Sequence, residues 1–273
     1  MSSIIISTDF PYMGEQIAPK LADTLGYQYL GPQFLDKVAS DFGVSKDRLV
    51  KALNSEAFSW ATPRRNSSLQ LSFLKAAVWE QFLSDNIVCE GLAAHLYIRG
   101  VSHVLTVRLL SDPKLVINRI AAEKVVAPKR ARKILDKRVH RRRNWSKRNF
   151  GLDDFDSSIY DMVISLSQIE EDKAVEVIKD MAGYRKFEPM TYSLQCTKDG
   201  ALAARIEAAL LPENPNIKIQ VRDGNVVLEP GSLRGIKGKQ AEKLKEMISK
   251  ITGVEYVEVH PGKNFTNRPG NSS

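Results

Sequence analysis

Short apolar runs alternate with amphipathic segments along the first two thirds of the chain, a pattern typical of strands separated by helices. Strands are predicted where apolar residues follow one another between turn-forming residues. Helices are predicted where apolar residues recur every three or four positions, as Ile17, Leu21 and Leu25 do. The predicted strands are residues 4–7, 27–30, 86–90, 103–110 and 161–165. The predicted helices are residues 14–25, 33–41, 46–53, 68–84, 113–123, 127–144 and 170–182.

This alternation predicts an α/β domain with a mainly parallel sheet that is covered by helices on both faces. Residues 4–7 are continuously apolar, which is expected of a strand buried on both faces. We therefore expect this strand in the interior of the sheet, flanked by parallel strands, with Gly14 at the start of the helix that follows. In such sheets the ligand lies outside the carboxyl ends of the strands.

The pattern changes after residue 183, and a second, smaller domain is predicted there. Its order is β-α-β-β-α-β, with strands at 191–196, 217–221, 226–228 and 255–259 and helices at 199–211 and 239–251. Asp223-Gly224 is a strong hairpin signal between the two middle strands. The predicted boundaries are 1–186 for the α/β domain, 187–262 for the α+β domain and 263–273 for a polar tail expected to be disordered.

Composition places the chain among soluble globular proteins, with 43% hydrophobic and 26% charged residues. No apolar run reaches the length of a membrane span, and the first residues lack the pattern of a signal peptide. Cys89 and Cys196 are the only cysteines, so a disulfide framework is excluded and a cytoplasmic location is expected. The four histidines show no metal-ligand spacing.

The net charge of +8 is concentrated in residues 129–148, which hold eleven Lys or Arg and one Asp. Three interpretations compete for this predicted basic helix. It is a solvated surface helix, a lid over nucleotide phosphates, or a surface for nucleic acid or another acidic partner. We expect it to project charge near the carboxyl ends of the strands and to bind an anion in a salt-sensitive manner.

The segment between the first strand and the first helix resembles a degenerate phosphate-binding loop. Strand, tight loop and helix is how P-loop kinases begin, and their glycines let backbone N–H groups surround phosphates. Here Gly14 is the single glycine of the loop, and Glu15 follows it. A carboxylate at this position repels a triphosphate.

Four stretches extend this resemblance over residues 3 to about 183. They read IIISTDFPYMGEQIAPKLADTLGYQYL, NIVCEGLAAHL, ARKILDKRVHRRRNWSKRNFG and YDMVISLSQIEEDKAVEVI. In order and spacing they resemble the cytidylate kinase-like family of P-loop nucleotide kinases. The resemblance implies a kinase fold and, for an active member, ATP and Mg²⁺ as cofactors.

The chain departs from the pattern of this family where phosphates are bound. Pro11, Tyr12 and Met13 occupy glycine and serine positions, and Glu15 occupies the position of a basic residue. Proline offers no N–H to a phosphate, and Leu92 stands where the family carries an arginine after its third strand. Phosphoryl transfer depends on positioning the phosphates and neutralising their charge, so these departures favour a non-catalytic or weakly active protein.

The candidate site residues follow from the resemblance and the charge pattern. No residue is assigned a catalytic role, and no metal ligands are predicted. The degenerate nucleotide-binding loop comprises Tyr12, Met13, Gly14, Glu15 and Gln16, and the phosphate or anion contacts are Arg138, Arg141, Arg142 and Arg143. Candidates for an acceptor-nucleotide arm are Trp60, Arg64 and Arg65 in the predicted loop 56–67, whose alternative interpretation is an exposed loop packed on the domain.

The second predicted domain resembles a BON domain, a small module often associated with membrane or ligand contacts. The resemblance rests on IEAALLPENPNIKIQVRDGNVVLEPG and ITGVEYVEV. A rival interpretation is a KH-like RNA-binding module, because Gly235-Ile236-Lys237-Gly238 before a helix matches the GxxG pattern. A generic α+β module is the third alternative.

The sequence thus favours a nucleotide-kinase-like protein with a binding or regulatory role and a BON-like interaction module. Its expected partners are a nucleotide or another anionic ligand, and a protein bound by the second domain. One alternative is an active nucleoside monophosphate kinase of the cytidylate type, using ATP and Mg²⁺. The other is an RNA- or ribosome-binding protein that uses the basic helix.

Overall fold

The computed structural model describes residues 2–8, 10, 15–54, 64–212, 217–230 and 238–260. The chain divides into two compact units, Met1–Leu194 and Gln195–Ser273. Among the described residues, no helix is long and apolar enough to cross a bilayer.

The first unit alternates strands and helices, as the apolar pattern predicts. Its strands are β1 (Ser3–Thr8), β2 (Gln28–Leu30), β3 (Ile87–Glu90), β4 (Val104–Leu110) and β5 (Met162–Ser165). Its helices are α1 (Ile17–Leu25), α2 (Phe34–Asp41), α3 (Lys46–Leu53), α4 (Arg64–Gln81), α5 (Ala94–Tyr97), α6 (Pro113–Lys124), α7 (Pro128–Phe150) and α8 (Glu171–Ala182). The short helix α5 was not predicted, because four residues are too few for a periodic pattern.

The five strands form one parallel sheet in the order β2-β3-β1-β4-β5. The prediction that β1 lies inside the sheet between parallel strands is confirmed, whereas Gly14 lies outside the described residues. Ile4, Ile5 and Ile6 are fully buried, which explains the unbroken apolar run. Ile4 and Ile6 pack against Ile17 and Leu21 of α1 in the main core, and Ile5 points to the other face of the sheet.

Helices α4 and α7 extend several residues beyond the ranges that their patterns predict. Helix α4 already begins at Arg64, so the last part of the predicted loop 56–67 is helical. Helix α7 continues to Phe150, and Gly151 in the left-handed conformation at φ 70° ends it. The buried Trp145 holds the last turns of α7 because its Nε1 donates to the carbonyl oxygen of Ala52 at 2.8 Å.

The second unit has a three-stranded sheet and two helices. Its elements are α9 (Thr191–Leu210), which begins in the first unit, β6 (Ile217–Arg222), β7 (Asn225–Pro230), α10 (Gly238–Ser249) and β8 (Tyr256–Val259). Strand β7 pairs antiparallel with β6 and parallel with β8. The hairpin prediction at Asp223-Gly224 is confirmed, since both residues have positive φ, 49° and 76°.

The predicted strand at 191–196 is wrong, because these residues form the first turns of α9. Ser193, Thr197 and Ala201 are buried at four-residue spacing, which is the period of a helix. In addition, the Ser193 hydroxyl accepts a hydrogen bond from the Met190 N–H at 3.0 Å, near the start of the helix. Polar residues at the buried positions concealed the helical period in the sequence.

Val125 ends α6 in a conformation that suits glycine. Its φ and ψ are 50° and 54°, and its surface is 90% exposed. The left-handed region costs a residue with a Cβ about 1–2 kcal/mol. Because the Val125 side chain is exposed, packing contributes little free energy to offset this cost. We expect Val125→Gly to raise the free energy of unfolding by ~1 kcal/mol in urea denaturation. Val125→Ala keeps the Cβ and is the matched control; an equal gain in both variants would contradict this cause.

Candidate functional site

A cavity of about 650 Å³ opens at the carboxyl ends of β1 and β3. Its lining comes from the ends of these strands, from α2 and α3, from α7 and from the segment after α7. Ser7, Thr8 and Glu90 end the two strands there, and Leu35 and Leu53 contribute apolar surface. The cavity therefore lies where ligands bind in open parallel sheets, and its volume is that of a small-molecule site.

The predicted phosphate-loop residues are only partly described. Tyr12, Met13 and Gly14 lie outside the described residues. Glu15 is exposed and lines the cavity, whereas Gln16 precedes α1, where its carbonyl oxygen accepts a hydrogen bond from the Lys20 N–H at 3.1 Å. A carboxylate thus stands at the start of α1, where a phosphate group is attracted by the helix dipole in phosphate-binding loops.

A second carboxylate lies at the end of β3. Glu90 accepts a hydrogen bond from the Tyr29 hydroxyl at 2.5 Å. Burial raises the pKa of Glu90, the hydrogen bond from Tyr29 opposes this, and the nearby charge of Glu15 raises it further. Burial and the Glu90 carboxylate likewise raise the pKa of Tyr29. Glu15, Glu90 and Tyr29 make this part of the cavity, which we call the acidic corner, unfavourable for a triphosphate.

The chain turns sharply after β3, at the position where the family carries its arginine. Gly91, Leu92 and Ala93 follow one another in the left-handed region, with φ of 68°, 53° and 59°. Leu92 lines the cavity and is 6% exposed. The turn is held by the Ala94 N–H, which donates to the carbonyl oxygen of Gly91 at 3.1 Å. An aliphatic side chain therefore occupies this part of the wall.

Arg108 on β4 is a cationic wall residue that the sequence analysis missed. It is 3% exposed and lines the cavity. Its Nη1 donates to the Ser7 hydroxyl at 2.7 Å and to the Thr8 carbonyl at 3.2 Å. Its guanidinium also lies over the ring of Phe155, 5.0 Å from the centroid. The signal that could have revealed it is an arginine within the apolar strand 103–110.

Asp154 organises a buried network beside the cavity that the sequence analysis also missed. The Asp154 carboxylate pairs with the ring of His95 and with the guanidinium of Arg142. The Tyr160 hydroxyl donates to the backbone carbonyl oxygen of Asp154 at 2.8 Å. The backbone N–H of Asp154 donates to the Ser146 hydroxyl at 3.1 Å. His95 and Asp154 are 2% and 1% exposed, and the carboxylate of Asp154 is the polar partner of the buried His95 ring.

The charge states within this network follow from burial and from the neighbouring arginines. Burial lowers the pKa of His95, and Arg142 and Arg108 lower it further, against the opposing effect of Asp154. Burial acts to raise the pKa of Asp154, but the hydrogen bond with His95 and the charge of Arg142 outweigh it and hold the pKa well below its usual range. We therefore assign a neutral imidazole and an ionised carboxylate, whose charge Arg142 balances.

The four predicted anion-binding arginines fall into two pairs. Arg142 is bound to Asp154 and to the carbonyl oxygen of Leu53, at 3.2 Å for the latter. Arg143 lies near Asp153, 3.5 Å from its carboxylate, and over the ring of Phe155. Arg138, Arg141 and Arg142 all line the cavity, but Arg138 and Arg141 have no acidic partner among the described residues. Arg138 lies over the ring of Phe10, 5.6 Å from the centroid.

None of the three candidates for an acceptor arm lines the cavity among the described residues. Trp60 lies outside the described residues, and Arg64 and Arg65 are described only as the first backbone positions of α4. The described wall on this side comes from α3 and the residue after it, through Val50, Leu53 and Asn54. Nor do the described parts of the chain hold a group of three or more His, Cys, Asp or Glu side chains placed for a metal ion.

A parallel sheet in this order, with a cavity at its carboxyl edge, gives the chain a kinase-like fold of the P-loop type. A sequence model of the Cytidylate kinase-like family matches residues 3–168. This match spans more than half of the chain, and the protein belongs to that family.

The chain is also similar to several solved structures. An uncharacterized protein from Eubacterium ventriosum is 20% identical, with a TM-score of 0.48, over 68% of this chain and 100% of that chain. Shikimate kinase from Bacteroides thetaiotaomicron is 14% identical, with a TM-score of 0.41, over 67% and 99%. Dephospho-CoA kinase from Campylobacter jejuni is 12% identical, with a TM-score of 0.36, over 66% and 96%. No curated protein matches the chain.

Proposed function

We propose that the first unit binds a nucleotide, or a ligand with a similar phosphate group, without transferring phosphoryl groups at the rate of a kinase. The observation that carries this proposal is the position of Arg138 and Arg141. Both side chains line a cavity of about 650 Å³, and neither is neutralised by a carboxylate among the described residues. Guanidinium groups in such a position favour bidentate binding of phosphate.

The acidic corner supports the second half of the proposal. A kinase must neutralise the charge that develops on the transferred phosphoryl group. At the described end of β3, Glu90 and Leu92 stand beside the cavity, and Glu15 adds a carboxylate at the start of α1. These residues do not fit a triphosphate. The cavity therefore has cations that can bind one phosphate-bearing ligand. Its acidic corner disfavours the binding of a second ligand that carries a triphosphate.

Isothermal titration with CMP tests the binding half. Replacing Arg138 and Arg141 together by Gln is expected to weaken CMP binding by about tenfold or more, since a hydrogen bond to a charged group contributes roughly 1.5–3 kcal/mol. Arg132→Gln is the matched control, because Arg132 pairs with Asp136 on the same helix and does not line the cavity. Arg142 and Arg143 stay in place, since replacing them would also break pairs with Asp154 and Asp153.

We expect the double variant to lose affinity for CMP and Arg132→Gln to bind CMP with wild-type affinity. Equal losses in both variants would show that general charge attraction, and not the cavity, binds the nucleotide. If the wild-type protein binds neither CMP nor ATP at low salt, the proposal is wrong. Thermal melting of each variant shows whether it is folded.

For the second unit we infer an interaction module of the BON-like kind. The order helix, strand, strand, helix, strand and the hairpin at Asp223-Gly224 support this inference. Ile217, Ile219 and Val221 pack into the core of the unit, so the alternate residues of β6 lie on the other face of the sheet. These are Lys218, Gln220 and Arg222, which are all exposed. Of the GxxG residues that support a KH-like alternative, only Gly238 is described.

A further inference from the structure

Four cations form a row along the exposed surface of α7. Lys129, Lys133, Lys137 and Arg141 follow one another at four-residue intervals, and all four are exposed. In an α-helix, residues four apart are neighbours on the surface, with an axial rise of about 6 Å per step. We call these four residues the cationic row; its length is about 18 Å.

No carboxylate in the described part of the chain neutralises the cationic row. Elsewhere on α7, Arg132 pairs with Asp136, and Arg143 and Lys147 pair with Asp153. For the members of the row, no carboxylate lies within ion-pair distance in the described parts of the chain. Uncompensated cations at regular spacing repel one another, and an anionic partner of similar repeat relieves that repulsion.

The same helix is a poor membrane anchor. Its apolar side chains Ile134 and Leu135 pack against the buried core that contains Val116, Ile120 and Ala131. The large hydrophobic residues that are exposed on the described surface include none from α7. An interfacial helix needs apolar side chains on the face that meets the lipid, so the cationic row fits a soluble polyanion better than a bilayer.

The cationic row ends at the cavity. Lys129, Lys133 and Lys137 do not line it. Arg141, the last member, lines the cavity itself. A chain of anions bound along the row would therefore end at the site that we propose for the phosphate of a nucleotide.

We propose that the protein binds the end of a single-stranded nucleic acid, with its terminal nucleotide in the cavity and the following phosphates along the cationic row. This inference rests on the proposed nucleotide binding. A cavity of about 650 Å³ has the volume of a small-molecule site and is large enough for a terminal nucleotide. The spacing along the row is comparable to that between neighbouring phosphates of a flexible strand, and a basic track of this kind binds the backbone without reading its sequence.

Oligocytidylates of one to six nucleotides, with either a 5′- or a 3′-phosphate, test this proposal by isothermal titration at two salt concentrations. We expect the affinity to rise with length up to about four nucleotides and then level off, by about tenfold or more in total. The triple variant Lys129→Gln, Lys133→Gln and Lys137→Gln is expected to lose this gain and to reduce the slope of log K against log salt by about 2. Its affinity for CMP should stay at the wild-type value.

A control triple variant removes the same charge elsewhere: Lys114→Gln, Lys179→Gln and Lys245→Gln, all at exposed positions. It should keep the gain with length, and thermal melting shows that both triple variants are folded. CMP binding without a gain with length overturns this inference alone, whereas failure of CMP to bind overturns the proposed function. A gain with length that persists in the row variant also overturns the inference. So does a stronger row-dependent interaction with polyglutamate or with phosphatidylserine vesicles.

Discussion

Incubated with ATP, Mg²⁺ and CMP, dCMP or UMP, the purified protein is expected to form no nucleoside diphosphate above background. Enzymes of ordinary activity turn over at about one per second or faster. Loss of one cation at the transferred phosphoryl group costs roughly 10³–10⁵ in rate. In the family pattern that the sequence resembles, cations stand at the positions of Leu92 and Glu15, and both of these residues line the cavity. The expected deficit is therefore at least about a thousandfold, measured in a coupled assay for ADP.

Two variants sharpen this prediction. Glu15→Lys restores a cation at the start of α1, and a partial activity in this variant alone would reveal a residual donor site. Arg138→Gln removes a cation from the cavity and tests whether any kinase activity of the wild-type protein comes from this site. A wild-type turnover near one per second that Arg138→Gln abolishes would show that the protein is a kinase.

Asp154→Ala is expected to lower the free energy of unfolding by about 3 kcal/mol, since removal of one partner from a buried ion pair leaves the other charge uncompensated. The substitution also leaves His95, which is 2% exposed, without its hydrogen-bond partner. Urea denaturation measures the change. Asp153→Ala is the adjacent control, because its carboxylate pairs with surface residues Arg143 and Lys147, and such pairs contribute at most about 1 kcal/mol. Equal losses would contradict the structural role of Asp154.

The same network is expected to make the free energy of unfolding fall as the pH falls. The pKa of His95 is lowered from 6.5 and that of Asp154 from 3.8 in the folded protein. In each case the unfolded chain binds the proton more readily, so the stabilisation is present above the ordinary pKa and is lost as the pH falls. Stability should decline below about pH 6.5 for His95 and again below about pH 4 for Asp154. In Asp154→Ala the second decline should shrink.

Much of the fold of the first unit could be predicted because local patterns carry it. The apolar run at Ile4, Ile5 and Ile6 identified the central strand, since burial on both faces removes polar residues from a strand. The segment at 191–196 was assigned wrongly, because its buried positions are Ser193 and Thr197. Polar residues at buried positions hide the helical period, and the packing around them is not visible in the chain itself.

The site was predictable in its location and less so in its members. A surplus of ten positive charges in residues 129–148 marked the helix that lines the cavity. Its arginines are identical in charge, yet Arg142 and Arg143 pair with aspartates that come after the helix. Arg138 and Arg141 have no acidic partner among the described residues. The cavity is also lined by Glu90, Arg108 and Asp154. These residues are distant in sequence, and only the assembly of the strands and loops brings them together.

The sequence by itself determined the class of fold, the order of its strands along the chain and the charge of α7, and it predicts a loss of phosphate-binding residues at Glu15 and Leu92. These depend on residue type and local spacing. Only the tertiary structure decided which charges are already neutralised, because a carboxylate distant in sequence can lie within hydrogen-bond distance of an arginine. Asp154 binds Arg142 from outside the helix, whereas Arg138 and Arg141 have no acidic partner in the part of the chain that the structure describes.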